Sequence, residues 1–298
     1  MLPATDGTTV NFSSSSGVDR LAPVITALND AGVESVRLTV DTMMTTTIRN
    51  THPEEASISA DGTVRDALPS AWALTQGVAG QMIEDQVRLA AEVYGDRIDG
   101  IILTEMHWEQ GSFSDNDLSL FTADTGLEDW PRTDDGQPDI TDETVLGWLT
   151  DKMAQFVNRC AIAAGTVPLI TDVRVNWDTP ASGRPESGHD YTKILAVADS
   201  LQAWAYFRTG RAETVAAFAS DVEDHFPGRV QVSLGLWGGI TPDDMATALD
   251  SVRTHPGGAQ VTPVSMLTPE HWDALAPEVT PGGGEPETVE DPVTEPTG

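Results

Sequence analysis

Lysine is nearly missing from this chain of 298 residues, occurring only at positions 152 and 193. Lys and Arg together number 16 against 47 Asp and Glu, a formal net charge of −31. Such a surface has little with which to neutralise phosphates, which argues against nucleic acid as a partner. It argues equally against anionic membranes. The charge reads first as a solvated surface, and an acid excess of this size also fits a high-salt host. Cysteine is confined to Cys160, so an internal disulfide and a Cys-based metal site are excluded and the thiol reads as a buried spectator. No apolar run reaches membrane-spanning length, and the opening M-L-P-A-T-D-G lacks the basic and apolar regions of a secretory signal. His107 has no partner at HExxH spacing, and there is no G-x-S-x-G elbow and no Gly-rich phosphate loop. Neither a metal nor a cofactor is expected.

What is present repeats. Apolar strand segments begin near residues 168, 200, 230 and 260, a spacing of about 30 residues, the length of one strand–helix unit. The earlier strands near 33 and 98 stand about twice as far apart, and the excess, 42–78 and 108–140, follows strands. In a (β/α)8 barrel such loops build the working face. A first strand over 8–13 brings the number to seven, with the eighth hidden in 42–78, for instance at 45–49, or lacking. The expected fold is therefore an α/β TIM-like barrel, irregular or one strand short, with long loops after the early strands. A doubly wound sheet is the alternative. Apolar residues at helical spacing predict helices over 18–31, 79–94, 141–164, 212–225 and 242–254, with Thr141 capping the third, and shorter ones from 190 and over 269–275. Residues 1–276 form the expected barrel, and 277–298, rich in Pro, Gly, Glu and Thr, a linker or disordered tail.

The chain is organised around residues 96–110, D-R-I-D-G-I-I-L-T-E-M-H-W-E-Q, a short buried strand that ends in a carboxylate, a histidine and a tryptophan. Glycoside hydrolysis needs two carboxyl groups, one to donate a proton and one to attack or to activate water. Glu105 and Asp172, each on its own strand, are the expected catalytic pair. Strand alternation places Arg37, Thr39 and Asp41 on one face, and Asp172, Arg174 and Asn176 on another. Arg174 is expected to hold Asp172 ionised, which leaves Glu105 the proton donor. The plainer alternative is an Asp172–Arg174 salt bridge inside the barrel, with Glu105 capping a loop. Trp108, Trp177, Trp204, Tyr206 and Trp237 fall at or near strand ends, where flat rings suit sugar stacking, although core packing is the plainer use of any one. With Asp41, His107, Arg174 and Asn176 they form the expected substrate-binding set. Asp115–Asn116–Asp117 and Asp134, Asp135 and Asp139 offer oxygen ligands of the kind Ca²⁺ takes, without EF-hand spacing, and read first as solvated loops.

At D-G-I-I-L-T-E-M-H-W, joined to D-W-P-R-T-D-D-G and D-V-R-V-N-W, the chain resembles the glycoside-hydrolase-like TIM-barrel minor tail proteins of tailed viruses, especially those of actinobacteria. The resemblance covers about residues 8–276. It implies a virion tail protein whose barrel binds, and as an active enzyme hydrolyses, host cell-surface polysaccharide. Its partners would be that glycan and other tail proteins, and it would be made in the host cytoplasm and released by lysis. A non-catalytic receptor-binding or structural tail module on the same scaffold is the alternative, and a cellular carbohydrate-active enzyme of a halophile a third. The same strand is similar to the chitinase-type D-G-x-D-x-D-x-E, but Ile102 and Thr104 stand where the inner acids belong and Glu105 comes one position early.

Overall fold

The computed structural model describes residues 7–12 and 21–279, the first segment by its backbone alone. The expected turn at 14–17 and most of the expected tail, 280–298, lie outside the described residues. The chain begins β1 (Gly7–Phe12), α1 (Leu21–Asp30), β2 (Ser35–Asp41) and α2 (Thr46–Thr51). A hairpin of β3 (Ala56–Ile58) and β4 (Val64–Pro69) follows, then α3 (Ala71–Gln76), α4 (Val78–Tyr94), β5 (Gly100–Thr104), α5 (Asp115–Thr125) and α6 (Glu143–Ala164). Strand–helix units complete it: β6 (Leu169–Arg174), α7 (Tyr191–Leu195), β7 (Ser200–Ala205), α8 (Glu213–His225), β8 (Val230–Gly235), α9 (Pro242–Val252), β9 (Ala259–Thr262) and α10 (Pro269–Val279).

Seven of these strands form one parallel sheet in the order β1-β2-β5-β6-β7-β8-β9. The sheet curls on itself. Arg37 Nη1 of β2 donates to Gln231 Oε1 of β8 at 3.1 Å, although three strands lie between them. In a flat sheet four strand spacings of about 4.8 Å would put that acceptor out of reach. The expected barrel class is the fold that forms, with seven parallel strands and β1 and β9 at the sheet's two edges. The eighth strand is not at 45–49. Those residues enter α2, because the Thr45 side chain accepts from Ile48 N at 3.3 Å and caps a helix.

Alternation divides each strand between two environments. Val36, Leu38, Val40, Ile101 and Leu103 are fully buried under the helices. The opposite face, where Arg37 meets Gln231, lines the inside of the curl with polar groups. Gln260 Nε2 on β9 donates to Ser233 Oγ on β8 at 2.9 Å on that same side. On the outer layer α4 buries Ile83, Val87, Ala90 and Tyr94, and α6 buries Val145, Trp148, Leu149, Phe156 and Cys160. Burial also pushes the Cys160 thiol pKa upward, so it stays protonated and inert.

Two local expectations fail for capping reasons. Asp142, not Thr141, caps α6, its Oδ1 accepting from Thr144 N at 2.8 Å. The 108–140 segment contains a helix, α5, built on a capping box between Ser114 and Asp117 and closed by Gly126 at φ 76°. Asp117 is therefore no solvated or metal-binding loop acid. It is fully buried and accepts from Trp72 N, Ser112 Oγ, Ser114 N and Ser114 Oγ at 2.8–3.0 Å.

Candidate active site

β5 ends at Thr104, and the next residue, Glu105, has φ 60°. A non-glycine residue in this left-handed region carries backbone strain, tolerated where the surroundings hold it. Here the turn is held from behind. His189 Nε2 donates to Met106 O at 2.7 Å, while its Nδ1 accepts from Arg174 N at 2.9 Å. One buried imidazole thus ties the end of β5 to the end of β6. Tyr191 OH adds a bond to Arg174 O at 2.8 Å. Sequence reasoning missed both residues, since they lie in the loop and helix after β6 rather than on a strand.

Glu105 is half-buried and lines a cleft of about 370 Å³ with Met43, His107, Glu109, Arg174 and the β4 stretch from Val64 to Leu68. Burial raises the Glu105 pKa, the nearby charge of Asp41 raises it further, and Arg174 pulls it down. Asp41 stands exposed at the end of β2, its Oδ1 accepting from Met43 N at 2.8 Å.

Asp172 lies deeper. It is buried and accepts a bond from Gln202 Nε2 at 2.6 Å, with further side-chain hydrogen bonds to Thr104 and Trp204. Burial lifts its pKa to about 7; those bonds oppose the shift and the charge of Glu105 adds to it. This reverses the expected order of proton affinity. Arg174 makes no ion pair with Asp172 among the described residues, and Asp172 rather than Glu105 is the acid that holds its proton most firmly. The reason is depth: Asp172 is enclosed with Gln202, Thr104 and Trp204, while Arg174, at the last position of β6, lines the cleft and meets His107.

His107 is also buried, its pKa lowered to about 3 by burial and by the charge of Arg174. It is neutral at physiological pH, and its Nε2 accepts from Arg174 Nη2 at 2.5 Å. The guanidinium lies 5.6 Å above the Trp204 ring. From there a row of rings leaves the cleft: Trp204 is parallel to Tyr206 at 5.7 Å, and Tyr206 lies 4.8 Å from Trp237. Gly235 admits this row, since a Cβ there would come within 2.4 Å of the Tyr206 ring. Trp237 is 45% exposed, and Trp204 and Tyr206 are half-buried.

Three expected binding residues stand elsewhere. Trp108 is wholly buried and donates from Nε1 to Pro69 O at 2.9 Å, so it has no face for a ligand. The loop after β6 covers it, with Gly188 at φ 86° where a side chain would meet the indole at 2.7 Å. Asn176 lies past the end of β6 and uses its Oδ1 to hold a turn, accepting from Asp178 N at 3.0 Å. Trp177 is 40% exposed but sits edge-on to Phe218 of α8, outside the residues that line the cleft.

No protein-family model and no curated protein sequence matches the chain. Solved structures do. The catalytic domain of a β-amylase from Paenibacillus polymyxa is similar at a TM-score of 0.65 and 11% identity, over 94% of this chain and 92% of that one. The fold is a TIM-like barrel, as in that structure. The glycoside hydrolase domain of PgaB (BpsB) from Bordetella bronchiseptica gives a TM-score of 0.64 at 10% identity, over 92% and 86%. A β-galactosidase from the haloarchaeon Halorubrum lacusprofundi gives 0.64 at 12%, over 85% of this chain but only 48% of its own. At these identities the likeness is one of fold.

Proposed function

We propose that the mouth of this barrel binds a polysaccharide and that Glu105 and Asp172 hydrolyse a glycosidic bond in it. The observation that carries the reading is the strained Glu105 turn, which presents a carboxylate to an open cleft with a second, proton-holding carboxyl behind it. Two carboxyl groups of unequal proton affinity are what acid–base glycoside chemistry uses. Glu105, which reaches the substrate, donates a proton to the glycosidic oxygen as its bond to the sugar breaks. Water adds to the sugar carbon and returns a proton. Asp172 is the second carboxyl, and Tyr206 and Trp237 carry sugar rings leaving the cleft. The setting we propose is a virion tail that meets host cell-surface polysaccharide, supported by the sequence words that resemble actinobacterial-virus tail proteins.

The test is release of reducing sugar from actinobacterial envelopes by purified protein. Wild type releases it and Glu105→Gln does not; equal release by both overturns the hydrolytic reading. Mass spectrometry of purified particles checks the virion setting. One observation favours a non-catalytic glycan-binding module instead. Asp172 is fully enclosed and already engaged by Gln202. On that reading Glu105→Gln binds glycan as well as wild type, and neither variant cleaves. The net charge of −31 favours a halophile's enzyme, for which stability would require molar salt.

A further inference from the structure

Among the cations that line or border the cleft, Arg65 Nη2 is paired with Glu109 at 3.1 Å and Arg184 Nε with Glu186 at 2.9 Å. Arg49, beneath the hairpin, is paired with Asp66 at 3.2 Å. Arg174 has no carboxylate within ion-pair distance among the described residues, although acids outnumber bases almost threefold in the chain. Its hydrogen-bonded neighbour is a neutral imidazole, His107, and a ring face, Trp204, supports it. Neither cancels its charge.

Two donors at this wall are left without a partner. Arg174 Nε is buried with no partner, and so is His107 Nδ1. Because His107 Nε2 accepts from Arg174, the ring proton of the neutral tautomer sits on Nδ1. A buried donor without an acceptor costs about 1–3 kcal/mol, which a bound acceptor beside it would recover. Arg174 and His107 both line the cleft beside Glu105. Glu105 and Glu109 line the same cleft and act on Arg174 electrostatically, but no described carboxylate closes an ion pair with it, so the face of its guanidinium fork is left for a ligand.

We infer that this wall is a subsite for a sugar carboxylate, and that the glycan recognised here is acidic, with a hexuronic-acid residue seated on Arg174 and His107. This rests on the glycan reading above and specifies its substrate. The planar guanidinium, held on Trp204, matches a carboxylate in a way a neutral hydroxyl does not. The overall negative charge does not veto an acidic ligand, because beyond about 8 Å exposed charges are screened at physiological salt while a half-buried pair is screened much less.

The experiment measures binding by titration calorimetry to a panel of oligouronides of glucuronate, galacturonate and mannuronate, each beside its carboxyl-reduced neutral counterpart. Wild type binds at least one oligouronide about tenfold or more tighter than its neutral partner, the ratio expected for a charge-assisted hydrogen bond. Arg174→Gln removes that preference, and a cooperative urea unfolding transition shows that the variant folds. Arg174→Lys, which keeps the charge but not the fork, retains part of the preference. Equal binding of acidic and neutral sugars by wild type, or a preference that survives Arg174→Gln, overturns the inference and leaves the glycan reading standing. Binding of no saccharide in the panel overturns both.

Discussion

Glu105 and Asp172 stand on neighbouring strands at different depths, the first open to the cleft and the second enclosed behind it. Burial raises the proton affinity of Asp172, and the charge of Glu105 adds to that rise. Burial decides which member keeps the proton. A charged Asp172 would have to be solvated by Gln202, Thr104 and Trp204 alone, and three hydrogen bonds do not replace water.

That depth difference makes stability depend on pH. The Asp172 pKa is about 7 in the folded protein against 3.8 for an ordinary aspartate. The folded state keeps a proton that the unfolded chain releases, so the contribution is fully present below pH 3.8 and is lost as pH rises through 7. The loss amounts to about 4 kcal/mol by linkage. Asp172→Asn, which keeps an acceptor for Gln202, should match wild type near pH 4 and exceed it by a few kcal/mol at pH 8. Urea unfolding at both pH values checks this, and a gap that does not change with pH would refute it.

The two buried histidines act at the other end of the scale. The His107 pKa is lowered to about 3 and that of His189 to about 4, from an ordinary 6.5. Both stay neutral while the unfolded chain takes up protons, so their contribution is present above pH 6.5 and is lost as pH falls toward those values. In an NMR titration from pH 8 to pH 5 the ring signals of His107 and His189 should hold still. Movement of either with a midpoint near 6.5 would contradict the burial argument.

Strain at Glu105 should appear as a trade between stability and activity. Glu105→Gly relieves the left-handed backbone and should raise stability by up to about 1 kcal/mol. Glu105→Gln keeps a side chain at φ 60° and should gain nothing from the backbone. Both should lose sugar release. A Gly variant less stable than the Gln variant would show that the turn is not strained.

Asp117 should be among the costliest side chains to truncate. Asp117→Ala strands donors from Trp72, Ser112 and Ser114 in a buried place, a loss of about 3 kcal/mol or more. Because the carboxylate holds α5 and the start of α3 rather than the cleft, sugar binding by the folded fraction should be unchanged. Chemical denaturation and calorimetry together separate the two effects.

Gly235 tests the aromatic row without touching an aromatic residue. Gly235→Ala drives a methyl into the Tyr206 ring and should cost about 1–3 kcal/mol as the ring moves. Glycan affinity should fall with it. Unaltered affinity would remove Tyr206 from the binding surface.

Local sequence pattern was enough for the barrel. Its strand spacing, the alternation along 33–41 and 169–177 and the helical stripe of α4 each follow from local periodicity, and the seven strands lie where that periodicity puts them. It also singled out Glu105, whose place at the end of an apolar strand is a local fact. Capping decided the local failures: α2 where a strand was expected, α5 inside a loop and Asp142 in place of Thr141. Only the tertiary structure decided depth. Whether Asp172 pairs with Arg174, whether Trp108 shows a face and whether His189 binds two strand ends all depend on how far each group lies from water and from groups remote in sequence. Periodicity reports the side of a strand on which a residue falls. How deep that side lies is set when the sheet curls and the loops close over it.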